Sequence, residues 1–194
     1  VNLSQPVTGT TSHLRILSDF GVPLLETNPE PLIIWQFFGN DFNDDYGLAV
    51  FRDEVEAPES EDSGENVVRQ PSALLAVAQT LITGQFVGVP DSEALFVKPY
   101  RATYGDGNVL QFGGEYEQNA LDMSRELNQI GYAYSVEAFE SAQDIANNMN
   151  ANLVIVIIPT REEVYRDITA PVMGEEAVDR LQSARDAMLL LCEE

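Results

Sequence analysis

The sequence predicts an α/β fold in which helices cover both faces of a parallel sheet. Three observations predict it. Residues 31–38 (PLIIWQFF) and Asn152–Ile158 (NLVIVII) are near-continuous apolar runs rich in β-branched and aromatic residues, the pattern of strands covered on both sides. Long helical patterns lie between such runs, as the crossovers of a parallel sheet require. With 194 residues, 44% of them hydrophobic and 22% charged, the chain suits one domain with a substantial core.

In chain order, Val1-Asn2-Leu3 reads as the end of a strand, followed by a polar turn over 4–12. Thr11 or Ser12 is placed to cap a helix running to about Phe20, with Gly21 as its stop. Leu14, Ile16, Leu17 and Phe20 give that helix a broad apolar face. Residues 31–38 form the first full strand, broken by Gly39-Asn40-Asp41. Seven acids crowd 53–65 together with Pro58 and Gly64, a solvated loop. Residues 71–81 read as a helix with proline at its start. Residues 96–112 alternate loosely around Gly105-Asp106-Gly107, a hairpin signal.

The second half is more regular. One helix is expected over 117–130, ended by Gly131, and another over 136–149, leading into the strand Asn152–Ile158. Thr160-Arg161-Glu162-Glu163 is a capping box at the start of a short helix. A last helix over 174–191 carries apolar Ala177, Val178, Leu181, Ala184, Met188 and Leu191. One domain over 1–194 is therefore expected, with 50–115 as an α+β insertion. A strand without lead-in at Val1 and a helix still running at Leu191 read as the cut ends of a longer chain.

Charge narrows the partners. There are 32 acidic against 10 basic residues, a formal charge of −22. Nucleic acid and anionic membrane surfaces would be repelled, and no apolar run is long enough to span a bilayer. The balance is compatible with high-salt or extracellular life, and an extracytoplasmic or secreted protein is expected. A single cysteine, Cys192, excludes an intramolecular disulfide and a multi-cysteine zinc site. Asp41-Phe42-Asn43-Asp44-Asp45 imitates the opening of a calcium loop, but Tyr46 stands where glycine is needed and Arg52 where a bidentate glutamate is needed. An EF-hand is rejected, these carboxylates read as solvated turn residues, and no metal or cofactor is expected.

Ligands of open α/β sheets bind outside the carboxyl ends of the strands. Residues 6–12, 39–45 and 159–163 should therefore share one rim. Asn40 is the sharpest candidate on it, an amide directly after a buried strand that can donate to a developing oxyanion. Its bland alternative is a turn cap. Glu162 and Glu163 could form an acid–base pair, but the capping box already accounts for Glu163.

Residues 31–45, PLIIWQFFGNDFNDD, resemble the block of the SGNH (GDSL) hydrolases in which a strand ends in Gly-x-Asn-Asp. Asn40-Asp41 match the Asn-Asp, Gly39 precedes them, and Phe38 stands where the motif's first glycine usually falls. Residues 1–12 resemble the preceding block, a strand ending in Asn followed by a glycine whose N–H helps to hold the oxyanion. Counting from Asn2 that glycine falls at Val7, and Gly9 is the nearest glycine. Residues 152–165 resemble the strand and turn before the last block in extracytoplasmic members. The resemblance covers roughly 1–50 and 115–194.

What it implies is a three-layer, flavodoxin-like α/β/α sheet. It also implies a serine acyl-enzyme mechanism on a small ester or acetylated carbohydrate, with Asn40 and a backbone N–H at Val7 or Gly9 as oxyanion donors. Gly-Asp-Ser occurs nowhere in the chain and its one histidine, His13, lies in a helical first turn. The expectation is thus the central part of an SGNH-type hydrolase or O-acyltransferase, inactive by itself. The alternatives are a non-catalytic binding or assembly domain on the same scaffold and, more distantly, a flavodoxin-like cofactor binder. Uncovered sheet edges invite pairing with another chain, so a homodimer, or a partner that covers them, is also expected.

Overall fold

Side chains that are stiff at Cβ favour extended backbone, and both apolar runs are strands in the computed structural model. It describes residues 2–3, 9–56, 100–105, 107–113 and 115–193. Strand β1 (Leu32–Phe38) pairs in parallel with β4 (Asn152–Ile158), from Leu32 opposite Asn152 to Phe38 opposite Ile158. A hairpin of β2 (Tyr100–Tyr104) and β3 (Asn108–Phe112) forms a second, antiparallel sheet. Its turn contains Gly105 and Gly107 at φ +56° and +97°, conformations that glycine adopts without a Cβ penalty. The fold is mixed α/β, with a small parallel sheet of two strands among the described residues.

The described helices are α1 (Thr10–Ile16), α2 (Val22–Leu25), α3 (Asp41–Phe51), α4 (Glu115–Ala120), α5 (Glu126–Asn148), α6 (Arg161–Val164), α7 (Arg166–Met173) and α8 (Glu175–Leu191). Gly21 does not stop the first of them. A π-helical turn, Leu17–Gly21, carries the chain from α1 into α2. Helix α1 also starts earlier than expected, with Gly9 as N-cap and no side-chain cap, because Thr11 is engaged elsewhere. Asn2 and Leu3 form no strand. The helix expected over 71–81, the acidic loop beyond Glu56, and most of the proposed insertion lie outside the described residues.

Gly131 is another correction. Helix α5 runs through it without a break. A Cβ at this position would press into the Phe42 carbonyl group, so the glycine lets α5 and α3 approach backbone to backbone. The chain instead breaks at 121–125. There the buried Asn128 donates to the carbonyls of Asn119 at 2.7 Å and Asp122 at 2.8 Å, and accepts from Asn43 at 3.1 Å. One amide thereby satisfies backbone groups that the end of α4 leaves open.

One face of the parallel pair is packed. Ile33, Trp35 and Phe37 are buried; Phe37 meets Phe42 of α3 at a ring separation of 4.9 Å, and Trp35 meets Phe139 of α5 at 5.2 Å. The alternate residues Leu32, Ile34, Val154, Val156 and Ile158 are 40–62% exposed. Among the described residues, cover on both faces is therefore not found for these strands. Continuous apolarity over seven residues reports what a strand could bury, whereas the neighbouring elements decide which face is buried.

The capping box forms as expected. Thr160 accepts from the Glu163 N–H and Glu163 accepts from the Thr160 N–H, each at 3.2 Å. Helix α8 buries Ala177, Val178, Leu181, Ala184 and Met188, as its spacing selects, while Leu191 at its end is only partly buried. Glu162 is buried and accepts from the Gly113 N–H at 2.6 Å, which fixes the end of the hairpin against α6.

Candidate functional site

The carboxyl end of β1 leads through Gly39-Asn40 straight into α3. The carboxylate of Asp41 accepts from the Phe38 N–H at 3.1 Å and so closes this turn. Gly39 fits where it does because a Cβ would lie 2.6 Å from the Leu121 side chain and 3.0 Å from Ala184. Asn40 is the N-cap residue of α3, yet its side chain makes no capping bond. The turn-cap reading of this side chain is thus set aside. Its amide donates instead to Asp44 at 3.2 Å and to the Tyr116 hydroxyl at 3.4 Å. Tyr116, from α4, donates in turn to the other oxygen of Asp44 at 3.2 Å.

Directly behind this triangle sits Asp45, 1% exposed. It accepts from the Thr11 N–H at 2.9 Å, the Thr11 hydroxyl, and the Ser135 hydroxyl at 2.6 Å. Those bonds join the start of α1 and the middle of α5 to α3. Gly9, buried at the start of α1, packs so closely that a Cβ would collide with the Asp45 carboxylate. Two of the three expected rim segments are therefore brought together, and one carboxylate does it. Val7 lies outside the described residues.

The third segment, 159–163, reaches the same neighbourhood through α4, where Tyr116 contacts Asn40 and Glu117 pairs with Arg161 at 3.7 Å. Its carboxylates serve the framework. Glu163 combines its capping role with an ion pair to Arg185 of α8 at 2.5 Å, and Glu162 holds Gly113. Neither is arranged as a glycosidase acid–base pair.

The segment Asp41–Asp45 is no solvated turn. It is the first turn of α3, and its spacing puts Asp41, Asp44 and Asp45 on one side of the helix. Burial raises the Asp41 carboxyl to about 8; the Phe38 N–H opposes this, and the charges of Asp44 and Asp45 add to it. Asp44 is raised first by burial, against the Tyr116 hydrogen bond, and Asp45 is raised by burial against its Ser135 and Thr11 bonds. The Tyr116 hydroxyl is also raised, chiefly by burial, with its bond to Asn40 acting the other way. Asp44 and Asp45 were read from the sequence only as turn carboxylates and Thr11 only as a helix cap; Ser135 and Tyr116 were not singled out. The helical i, i+3, i+4 spacing of the aspartates was the available signal for the first two; Tyr116 offered none.

His13 lies apart from this cluster, its ring edge-on to Trp35 at 5.7 Å. It lines a groove of about 750 Å³ between α1, α2 and β1 whose described walls include Leu3, Leu17, Leu24 and Ile34 and no carboxylate. Among the described residues no group of histidine, cysteine and acidic side chains could hold a metal ion, and no helix is long and apolar enough to cross a membrane. No protein-family model matches the chain, and neither a curated protein nor a solved structure is significantly similar to it.

Proposed function

We propose that residues 1–194 are the central part of an SGNH-type ester hydrolase or O-acyltransferase, built on a three-layer, flavodoxin-like α/β/α sheet. The observation that carries this reading is the placement of Asn40. It stands at the carboxyl end of a parallel strand and at the N-terminus of the eleven-residue helix α3, with Gly9 held against the same helical turn through Asp45. A serine alkoxide would attack the ester carbonyl, and the negative charge would form where the Asn40 amide and a backbone N–H near Gly9 can donate. The partial positive charge at the start of α3 favours an anion there. One such donor contributes about 3–4 kcal/mol to the barrier.

The nucleophile and its histidine and aspartate partners are assigned to chain flanking these residues, since Gly-Asp-Ser is absent and His13 faces Trp35. Small esters and O-acetylated carbohydrates are the substrates proposed, in an extracytoplasmic setting. A homodimer belongs to the same reading, and a monomer by light scattering at micromolar concentration would refute that part.

The test is made in the longer protein, with p-nitrophenyl acetate and a serine-directed phosphonate. Phosphonate-sensitive hydrolysis is expected, and Asn40→Ala should lower kcat by about 10²–10³-fold. An intact kcat in Asn40→Ala would overturn the oxyanion role. Phosphonate-sensitive esterase activity from residues 1–194 alone would overturn the placement of the nucleophile. One observation favours a second reading, a non-catalytic binding or assembly domain: Asn40 already spends its amide on Asp44 and Tyr116. A longer protein with no serine that the phosphonate labels would establish that alternative.

A further inference from the structure

We propose that Asp44 and Tyr116 are positioning residues for Asn40, a carboxylate–phenol clamp that holds the amide in its donating orientation; this rests on the oxyanion role proposed above. An amide on a single side chain rotates about two bonds, and a donor that must find its direction during the reaction loses much of its advantage. Here the direction is set from two elements. Asp44 lies one helical turn beyond Asn40 on α3, and one carboxylate oxygen takes an amide N–H at 3.2 Å. Tyr116 approaches from α4, its hydroxyl 3.4 Å from the same amide nitrogen. The tyrosine is itself fixed by donating to the second oxygen of Asp44 at 3.2 Å. The three groups close a ring in which Asp44 holds both others.

The two amide hydrogens are not equivalent in this ring. The bond to Asp44 is the shorter and is made to a carboxyl oxygen. The contact to the Tyr116 hydroxyl is at the long limit of a hydrogen bond. An incoming oxyanion replaces the weaker partner and leaves the Asp44 bond as the pivot. Asp41 and Asp45 on α3 and Tyr116 on α4 are the titratable groups around Asp44, and Asp45 is committed to Thr11 and Ser135. Asp44 is therefore the carboxyl group of this helical turn that is bonded to Asn40.

Solution NMR of the 194-residue chain tests the clamp without any activity. The two Asn40 side-chain amide protons should be well separated in shift and slow to exchange with solvent. Asp44→Ala should return the pair to the ordinary shifts and spacing of a free asparagine amide and speed exchange at least about tenfold. Asp44→Asn, which keeps an acceptor, should restore the separation. Tyr116→Phe, at a half-exposed ring, should shift one amide proton and leave the other, and it serves if Asp44→Ala does not fold. Asn40 amide signals unchanged in Tyr116→Phe, or in a folded Asp44→Ala, overturn the proposal.

Kinetics of the longer protein separate the two ideas. If the clamp operates, Asp44→Ala lowers kcat about tenfold with KM unchanged, and Asp44→Asn recovers it. If the NMR result holds but Asn40→Ala leaves kcat intact, the oxyanion reading fails while the clamp stands.

Discussion

Replacing Asp41 by asparagine isolates the cost of a buried carboxyl group. Asp41 is 7% exposed, and its ordinary value of 3.8 is raised to about 8 in the folded chain. A raised value means that the folded state holds the proton more tightly than the unfolded state. The associated stability is complete below pH 3.8 and drains away as pH climbs toward 8. Between about pH 4 and pH 7 the loss from this one group is on the order of 4 kcal/mol. Asparagine has nearly the same shape, and its carbonyl oxygen can accept the Phe38 N–H that Asp41 accepts at 3.1 Å.

The variant carries no titrating group at this position, and it removes a like charge from beside Asp44 and Asp45. Urea unfolding followed by far-UV circular dichroism at roughly pH 4.5, 5.5, 6.5 and 7.5 gives the comparison. Asp41→Asn should match the wild type within about 1 kcal/mol at the lowest pH and exceed it increasingly as pH rises. The difference between the two proteins matters here, because self-repulsion among 32 acidic residues also grows toward neutral pH and acts on both. A gap that stays constant from pH 4.5 to 7.5, or one that favours the wild type at high pH, would refute the reasoning.

Other substitutions test the framework. Gly131→Ala should destabilise by about 1–3 kcal/mol despite the better helix propensity of alanine, because its Cβ must push α5 off the Phe42 carbonyl; a stabilised variant in thermal unfolding would contradict the close approach. Phe37→Ala empties a fully buried site between Phe42 and Phe139 and should cost about 3–5 kcal/mol in denaturant unfolding. Thr160→Ala should cost about 1 kcal/mol through the lost cap, with Thr160→Ser recovering most of it; equal stability of all three proteins would show that the box contributes nothing. Ser135→Ala removes the 2.6 Å bond to Asp45 and should destabilise by about 1–2 kcal/mol, measured by the shift in urea midpoint.

Local chemistry was enough to locate the elements whose cause is local. The β-branched and aromatic runs of β1 and β4, the glycines of the hairpin turn, the reciprocal cap at Thr160 and Glu163, and the apolar spacing of α8 each act within a few residues. The place of Asn40 just after β1 was legible for the same reason, whereas the helix α3 that follows it was not. Gly21 and Gly131 were not, since a glycine offers one signal for two situations. It ends a helix when its backbone turns left-handed, and it continues one when a neighbouring chain leaves no room for a Cβ. Only the contact between α3 and α5 decides which holds at Gly131.

The aspartates after β1 make the same point in electrostatic terms. Read along the chain, Asp41-Phe42-Asn43-Asp44-Asp45 is a polar turn, because carboxylates prefer water. Tertiary structure supplied what overrides that preference: a backbone N–H for Asp41, Thr11 and Ser135 for Asp45, and Tyr116, seventy-six positions away from Asn40, beside Asp44. The sequence by itself determined the strands β1 and β4, the hairpin turn, the cap at Thr160 and the last helix, whose causes are local. Which carboxyl groups lost their water, and which side chains Asn40 would meet, depended on partners distant in the chain, because desolvation and hydrogen-bond geometry exist only once the elements have packed.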